Sequence, residues 1–316
     1  MDDLVKAIAY TKKKKEFQIK KSLDSHFEEP LEDLEGYLKD KKHRSSVGLN
    51  FERLASFYLW QFLDNYIQTK KLNFNLISKN TSLTVEANNW HYALGSTSPT
   101  YHSAVLFQYS TMHLGQLMYL GWVDQAKAYG NFLIKMLYSK HYTGGNAWAK
   151  HPWFILMLFC KWQDIVLDKS KLHYPEDMGV YQAAMDDWDT ADINILANLI
   201  NQLCDFHIKQ SDEDVTMDEY GGEDGPEFSS SDYFIFPVEI LTWLAIRKQL
   251  GLPAYEAKHD LMRLEINQLP DAIIPFEEDE LVLKCKAKLV NDNPGLTFGL
   301  DVIPPAKKGN NWSLLD

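Results

Sequence analysis

Residues 51–66 read FERLASFYLWQFLDNY. Phe51, Leu54, Ala55, Tyr58, Leu59, Phe62 and Leu63 recur at three- and four-residue steps, the spacing that lays one apolar stripe along an α-helix. Asn50 stands where a capping side chain would start that helix. Upstream, residues 2–21 carry Leu4, Ile8, Phe17 and Ile19 among lysines and also predict a helix. Downstream, Ser98-Pro99 opens a helix expected to run to Gly121, because proline fits the first turn and glycine the stop. Asp124 starts the next, carrying Ala128, Phe132, Leu133, Met136 and Leu137; the short joint between the two predicts antiparallel neighbours. His151-Pro152 opens a helix through Leu167 that is apolar nearly all round, hence central. Further helices are expected over Thr190–Ile208, Pro237–Leu250 and Glu278–Val290.

Strand-like patterns are confined to Leu72–Ile77 and Leu296–Ile303, and they do not alternate with helices as a doubly wound sheet requires. From Asn291 the proline, glycine and asparagine content forbids a long helix. The expected fold is all-α: a single multi-helix domain of antiparallel helical hairpins with an irregular C-terminal tail. An N-terminal helical part, 1–90, and a main region, 91–316, are expected to form one unit, with Lys70–Thr84 the one conceivable boundary.

Composition narrows the function. The chain has 316 residues, 45% of them hydrophobic, and a net charge of −12, enough length to bury most of its unfolded surface without staples. A chain of this sign repels phosphate and anionic lipid and attracts basic partners, which argues against direct binding to nucleic acid or membrane. Residues 1–21 are the exception, with seven lysines against three acids. Lys12–Lys15 is expected to be a solvated helix face, because no aromatics interleave with the lysines as a stacking surface for nucleic acid would need. Cys160, Cys204 and Cys285 are odd in number and far apart, which fits a reduced cytoplasmic setting. No secretion signal is expected in MDDLVKAIAYTKKKK. The longest apolar run, Trp153–Cys160, has eight residues, far short of the roughly 20 needed to span a bilayer.

The most unusual stretch is residues 211–232, SDEDVTMDEYGGEDGPEFSSSD. It holds Asp212, Glu213, Asp214, Asp218, Glu219, Glu223, Asp224, Glu227 and Asp232, with no Lys or Arg. Gly221, Gly222, Gly225 and Pro226 predict a loop whose charges must mostly face water. The functional expectation is a docking surface for a basic partner, formed by the carboxylates from Asp212 to Glu227. The spacing does not follow a calcium-binding loop.

A second acidic knot, Asp186-Asp187-Trp188-Asp189 with Asp192, departs from the DDxxD of class I terpene synthases at Thr190. It is expected to be helix N-terminal acid favoured by the helix dipole. Cys204 and His207 lack a second ligand pair for zinc, and His259-Asp260 is expected to be an ordinary surface pair. There is no H-E-x-x-H, G-x-S-x-G, Walker loop or G-x-G-x-x-G. No catalytic residue, metal site or cofactor is expected.

The order Cys204-Asp205-Phe206-His207, Glu227-Phe228, Phe236-Pro237-Val238-Glu239-Ile240-Leu241 and Arg247-Lys248-Gln249-Leu250-Gly251-Leu252, with His151-Pro152-Trp153-Phe154 upstream, is similar to helical immunity proteins of bacterial polymorphic toxin systems, the PoNi-like group. The similarity spans residues 100–290. The resemblance implies a non-catalytic cytoplasmic protein. It would neutralise a cognate toxin, delivered by type VI secretion or by contact, by occluding that toxin's active site. It implies a basic partner, a nuclease or a nucleotide-consuming enzyme, met by an acidic surface. Two other classes compete: an all-α enzyme of terpene-synthase or α/α-barrel hydrolase type using Asp186, Asp187 and Asp189, and a helical scaffold with peptide-binding grooves.

Overall fold

The computed structural model describes residues 2–97, 106–139, 149–213 and 226–300. Among these residues the architecture is all-α, with no strand; one isolated parallel bridge joins Ser211 to Phe228. Helix α1 spans Asp2–Lys21, and a π-turn at Asp24–Glu28 carries the chain into α2, Glu29–Leu38. Then follow α3 (Val47–Thr69), α4 (Phe74–Thr97), α5 (Phe107–Tyr119), α6 (Val123–Leu137) and α7 (His151–Trp162). The last four are α8 (Val180–Asp186), α9 (Ile193–Lys209), α10 (Val238–Gln249) and α11 (Glu280–Asp292).

The stripe at residues 51–66 lies in α3 as its spacing predicts, but the helix begins earlier. Val47 is its first residue, and Asn50 is buried inside it rather than capping it. Lys70, in the left-handed region at φ 59°, ends α3 and turns the chain into α4. These two helices make the most extensive helix–helix contact among the described residues. The Leu72–Ile77 strand expectation fails here. Residues 74–97 are one helix, with Trp90 fully buried in it.

Helix α4 reads as polar because its buried faces bond rather than merely pack. Asn80 Nδ2 donates to the Ala55 carbonyl of α3 at 2.8 Å, and Asn88 Nδ2 donates to Ser110 Oγ of α5 at 3.0 Å and to the Tyr129 hydroxyl of α6. Asn89 bonds both backbone groups of Leu300. Buried Lys286 of α11 pairs with buried Glu86 at 2.8 Å. Each buried polar group needs such a partner, so α4 is pinned on several sides.

Two apolar clusters fill the interior. The larger joins Phe62 and Leu63 of α3 to α5, α6, α7, α9 and α10; the smaller surrounds Trp90 with Tyr37, Phe51, Leu83 and Cys285. Helix α7 is central to the larger, with Trp153, Phe154, Ile155, Leu156 and Leu158 wholly inaccessible. Helix α5 crosses α10 at Gly115, where a Cβ would lie 2.3 Å from Thr242 Oγ1, so only glycine fits. Gly121, at φ 76°, forms the turn after α5 that its position predicts. No described helix is long and apolar enough to cross a membrane.

Candidate functional site

The acidic segment leaves α9 and returns through a closed neck. The Asp212 N–H donates to the Phe228 carbonyl at 3.1 Å, and the Phe228 N–H donates to the Gln210 carbonyl at 3.0 Å. Ser211 Oγ donates back to the His207 carbonyl at 2.8 Å, finishing the last turn of α9. These bonds hold residues 210–212 and 228 side by side.

Two carboxylates at the neck, Glu213 and Asp232, face inward. Glu213 Oε2 accepts from the Tyr10 hydroxyl at 2.9 Å and pairs with Lys14 Nζ at 2.7 Å, while Oε1 accepts the Ser231 N–H at 2.8 Å. Burial alone would push the Glu213 carboxyl up, but the bonds from Lys14, Ser231 and Tyr10 together outweigh it and hold the group down at about 2. Asp232 pairs with Lys15, whose Nζ also donates to Ser231 Oγ at 3.0 Å and Gln18 Oε1 at 2.8 Å. Lys15 is wholly inaccessible, so the expectation that Lys12–Lys15 is a solvated face fails at Lys15, and Lys14 is committed to Glu213. A sequence signal for this existed: Lys15 follows Leu4, Ala7 and Thr11 at helical spacing, on the buried face of α1.

Glu227 is also internal. It is 8% exposed, and its Oε1 accepts the backbone N–H of Lys150 at 2.6 Å, that of His151 at 2.5 Å, and bonds His151 Nδ1 at 2.9 Å. A carboxylate here satisfies the free N–H groups that open α7 and complements the positive end of its dipole. Glu227 thus serves as the cap of the central helix. Of the predicted docking set, Glu213 and Glu227 are bound within the fold, and Asp212 is exposed at the neck. Asp214, Asp218, Glu219, Glu223 and Asp224 lie outside the described residues.

A second histidine–glutamate pair stands behind the first. His207 Nδ1 bonds Glu239 Oε1 at 2.7 Å and His207 Nε2 bonds the Tyr233 carbonyl at 2.9 Å, with both side chains buried. The centre of the Phe228 ring lies 4.7 Å from that of the His151 imidazole and 4.1 Å from that of His207. Neither pair was legible in the sequence, because each partner comes from a distant helix or loop.

The remaining sequence candidates take separate places in the fold. Asp186 ends α8 and Asp187 caps its C-terminus, so the expected helix N-terminal role fails for both; within this knot Asp192 caps an N-terminus, accepting from the N–H groups of Asn194 and Ile195. The Trp188 and Thr190 carbonyls accept from buried Arg247 at 3.1 and 2.8 Å, which fixes this turn against α10. His259 Nε2 bonds Asp205 at 3.1 Å. All three cysteines are free and buried; burial pushes the thiols of Cys160 and Cys285 up to about 12 and raises that of Cys204, which makes them poor nucleophiles. Among the described residues no three His, Cys, Asp or Glu side chains converge as a metal would require. Fold and site together define an all-α protein with a carboxylate-rich segment carried on a bonded neck. The chain matches no protein-family model, curated protein or solved structure in the three comparisons.

Proposed function

We propose that this chain is an immunity protein, which binds a cognate antibacterial toxin in the cytoplasm and occludes the toxin's active site. It works by shape and negative potential, with no catalysis of its own. The observation that supports this reading is the division of labour at the neck. Glu213, Glu227 and Asp232 meet the fold's own demand for carboxylates through Lys14, Lys15, Tyr10 and the α7 N-terminus. Asp214, Asp218, Glu219, Glu223 and Asp224 lie between the fixed ends without a Lys or Arg among them. A single-sign run on a rigid base suits a basic cleft that otherwise holds phosphates, and it favours fast, selective association.

The test is co-expression with the product of the gene directly upstream. That product should arrest growth alone, and this chain should restore growth and co-purify with it. Replacing the five carboxylates by Asn or Gln should weaken the complex at low salt and flatten its salt dependence. A harmless neighbour that forms no complex, or turnover of a small substrate by the purified chain, would overturn the reading.

A further inference from the structure

A groove of about 780 Å³ runs between the end of α2, the first half of α4 and the segment that leads into α11. Its volume falls in the range of ligand sites, roughly 300–1,000 Å³. Leu38, Phe74, Leu83, Ile274 and Leu281 give it an apolar lining. Ser78, on the α4 wall, is 8% exposed and keeps a buried hydroxyl with no hydrogen-bond partner.

The charges along the edge are unevenly satisfied. Lys39 pairs with Glu35 at 3.1 Å, Lys284 pairs with Glu280 at 2.7 Å, and Lys79 lies 5.3 Å from the centre of the Tyr58 ring. Asp279 caps α11, accepting from the N–H groups of Leu281 and Val282 at 2.9 and 3.2 Å. Glu277 and Glu278 are exposed, line the same groove, and have no ion pair or hydrogen bond among the described residues. The groove thus joins an apolar lining to an edge with surplus negative charge. That combination disfavours phosphates and other anions. It suits an apolar anchor with cationic neighbours, because the anchor fills the lining while the cations meet Glu277 and Glu278.

We infer that this groove is a peptide-docking site, and that it takes a short segment in which a large apolar side chain is flanked by Lys or Arg. The site is separate from the acidic neck, and it stands whether or not the partner is a toxin.

The experiment is selection from a displayed library of random dodecapeptides on the full-length chain, in parallel with the double variant E277K/E278K. Enriched sequences should place Lys or Arg beside Leu, Phe or Trp. A synthetic peptide of the enriched pattern should slow hydrogen exchange in residues 74–83 and 274–284. The charge-reversed variant, folded by circular dichroism, should bind that peptide at least roughly tenfold more weakly, as expected when close cationic contacts turn repulsive. No enrichment, enrichment without basic residues, equal binding by the variant, or protection confined to the neck would each overturn the inference.

Discussion

Two carboxylate-rich regions of this molecule look alike in composition and differ in what their charges do. At the neck, Glu213 and Glu227 are held by hydroxyl, ammonium and backbone N–H donors and have become part of the framework. At the groove, Glu277 and Glu278 stand exposed with no such donors among the described residues. The lesson is that a count of acids does not locate a binding surface; what locates it is the set of acids the fold leaves unanswered.

The sharpest way to break this contrast is Glu227→Ala. It strands the N–H groups of Lys150 and His151 at the start of the central helix, and should cost about 3–5 kcal/mol in urea unfolding. A cost no larger than that of Glu277→Ala would erase the distinction between the two regions.

Glu213→Gln tests the same contrast through pH. The Glu213 carboxyl sits at about 2 in the folded chain against an ordinary 4.5, and its side chain is 16% exposed. Its stabilisation, on the order of 3 kcal/mol, is complete above pH 4.5 and is lost as pH falls toward 2. The variant should therefore be less stable at pH 7 and should converge on the parent near pH 2. His113 must be separated from this effect. Burial pushes its imidazole from 6.5 down to about 3, so its stabilisation is complete above pH 6.5 and falls away between 6.5 and 3 in parent and variant alike. The difference between the two unfolding curves isolates Glu213.

Lys15→Met keeps the apolar stem and removes the ammonium from Asp232, which is 21% exposed and so keeps some hydration. A smaller loss of about 1–3 kcal/mol is expected in the same assay. Smallest of all, Glu277→Gln with Glu278→Gln should change stability by no more than about 0.5 kcal/mol. A larger loss would mean that these groups, too, belong to the framework.

The helices that present one apolar stripe, α3, α6 and α9, were legible in the sequence because a single buried face imposes a period. Helix α4 was not. Its Asn80, Thr81, Thr84, Asn88 and Asn89 are all buried, so polar residues fall on core positions and the period vanishes. The Ser98–Val105 start expected for α5 lies outside the described residues, and the C-terminal strand-like pattern shows no strand through Leu300. The neck was hidden for a different reason. Tyr10 and Glu213 are 203 residues apart, and Lys15 and Asp232 are 217 apart, so no local window contains both partners. Only the position of Lys15 on the buried stripe of α1 hinted that its charge had an inward destination.

Phe228 carries one further consequence. Its ring faces the imidazoles of His151 and His207 at the point where the acidic segment returns to the body. Aromatic ring currents displace the magnetic resonances of protons held against their faces. The carbon-bound protons of these two histidines therefore form a built-in, label-free gauge of whether Phe228 is seated, readable in solution while a partner is added.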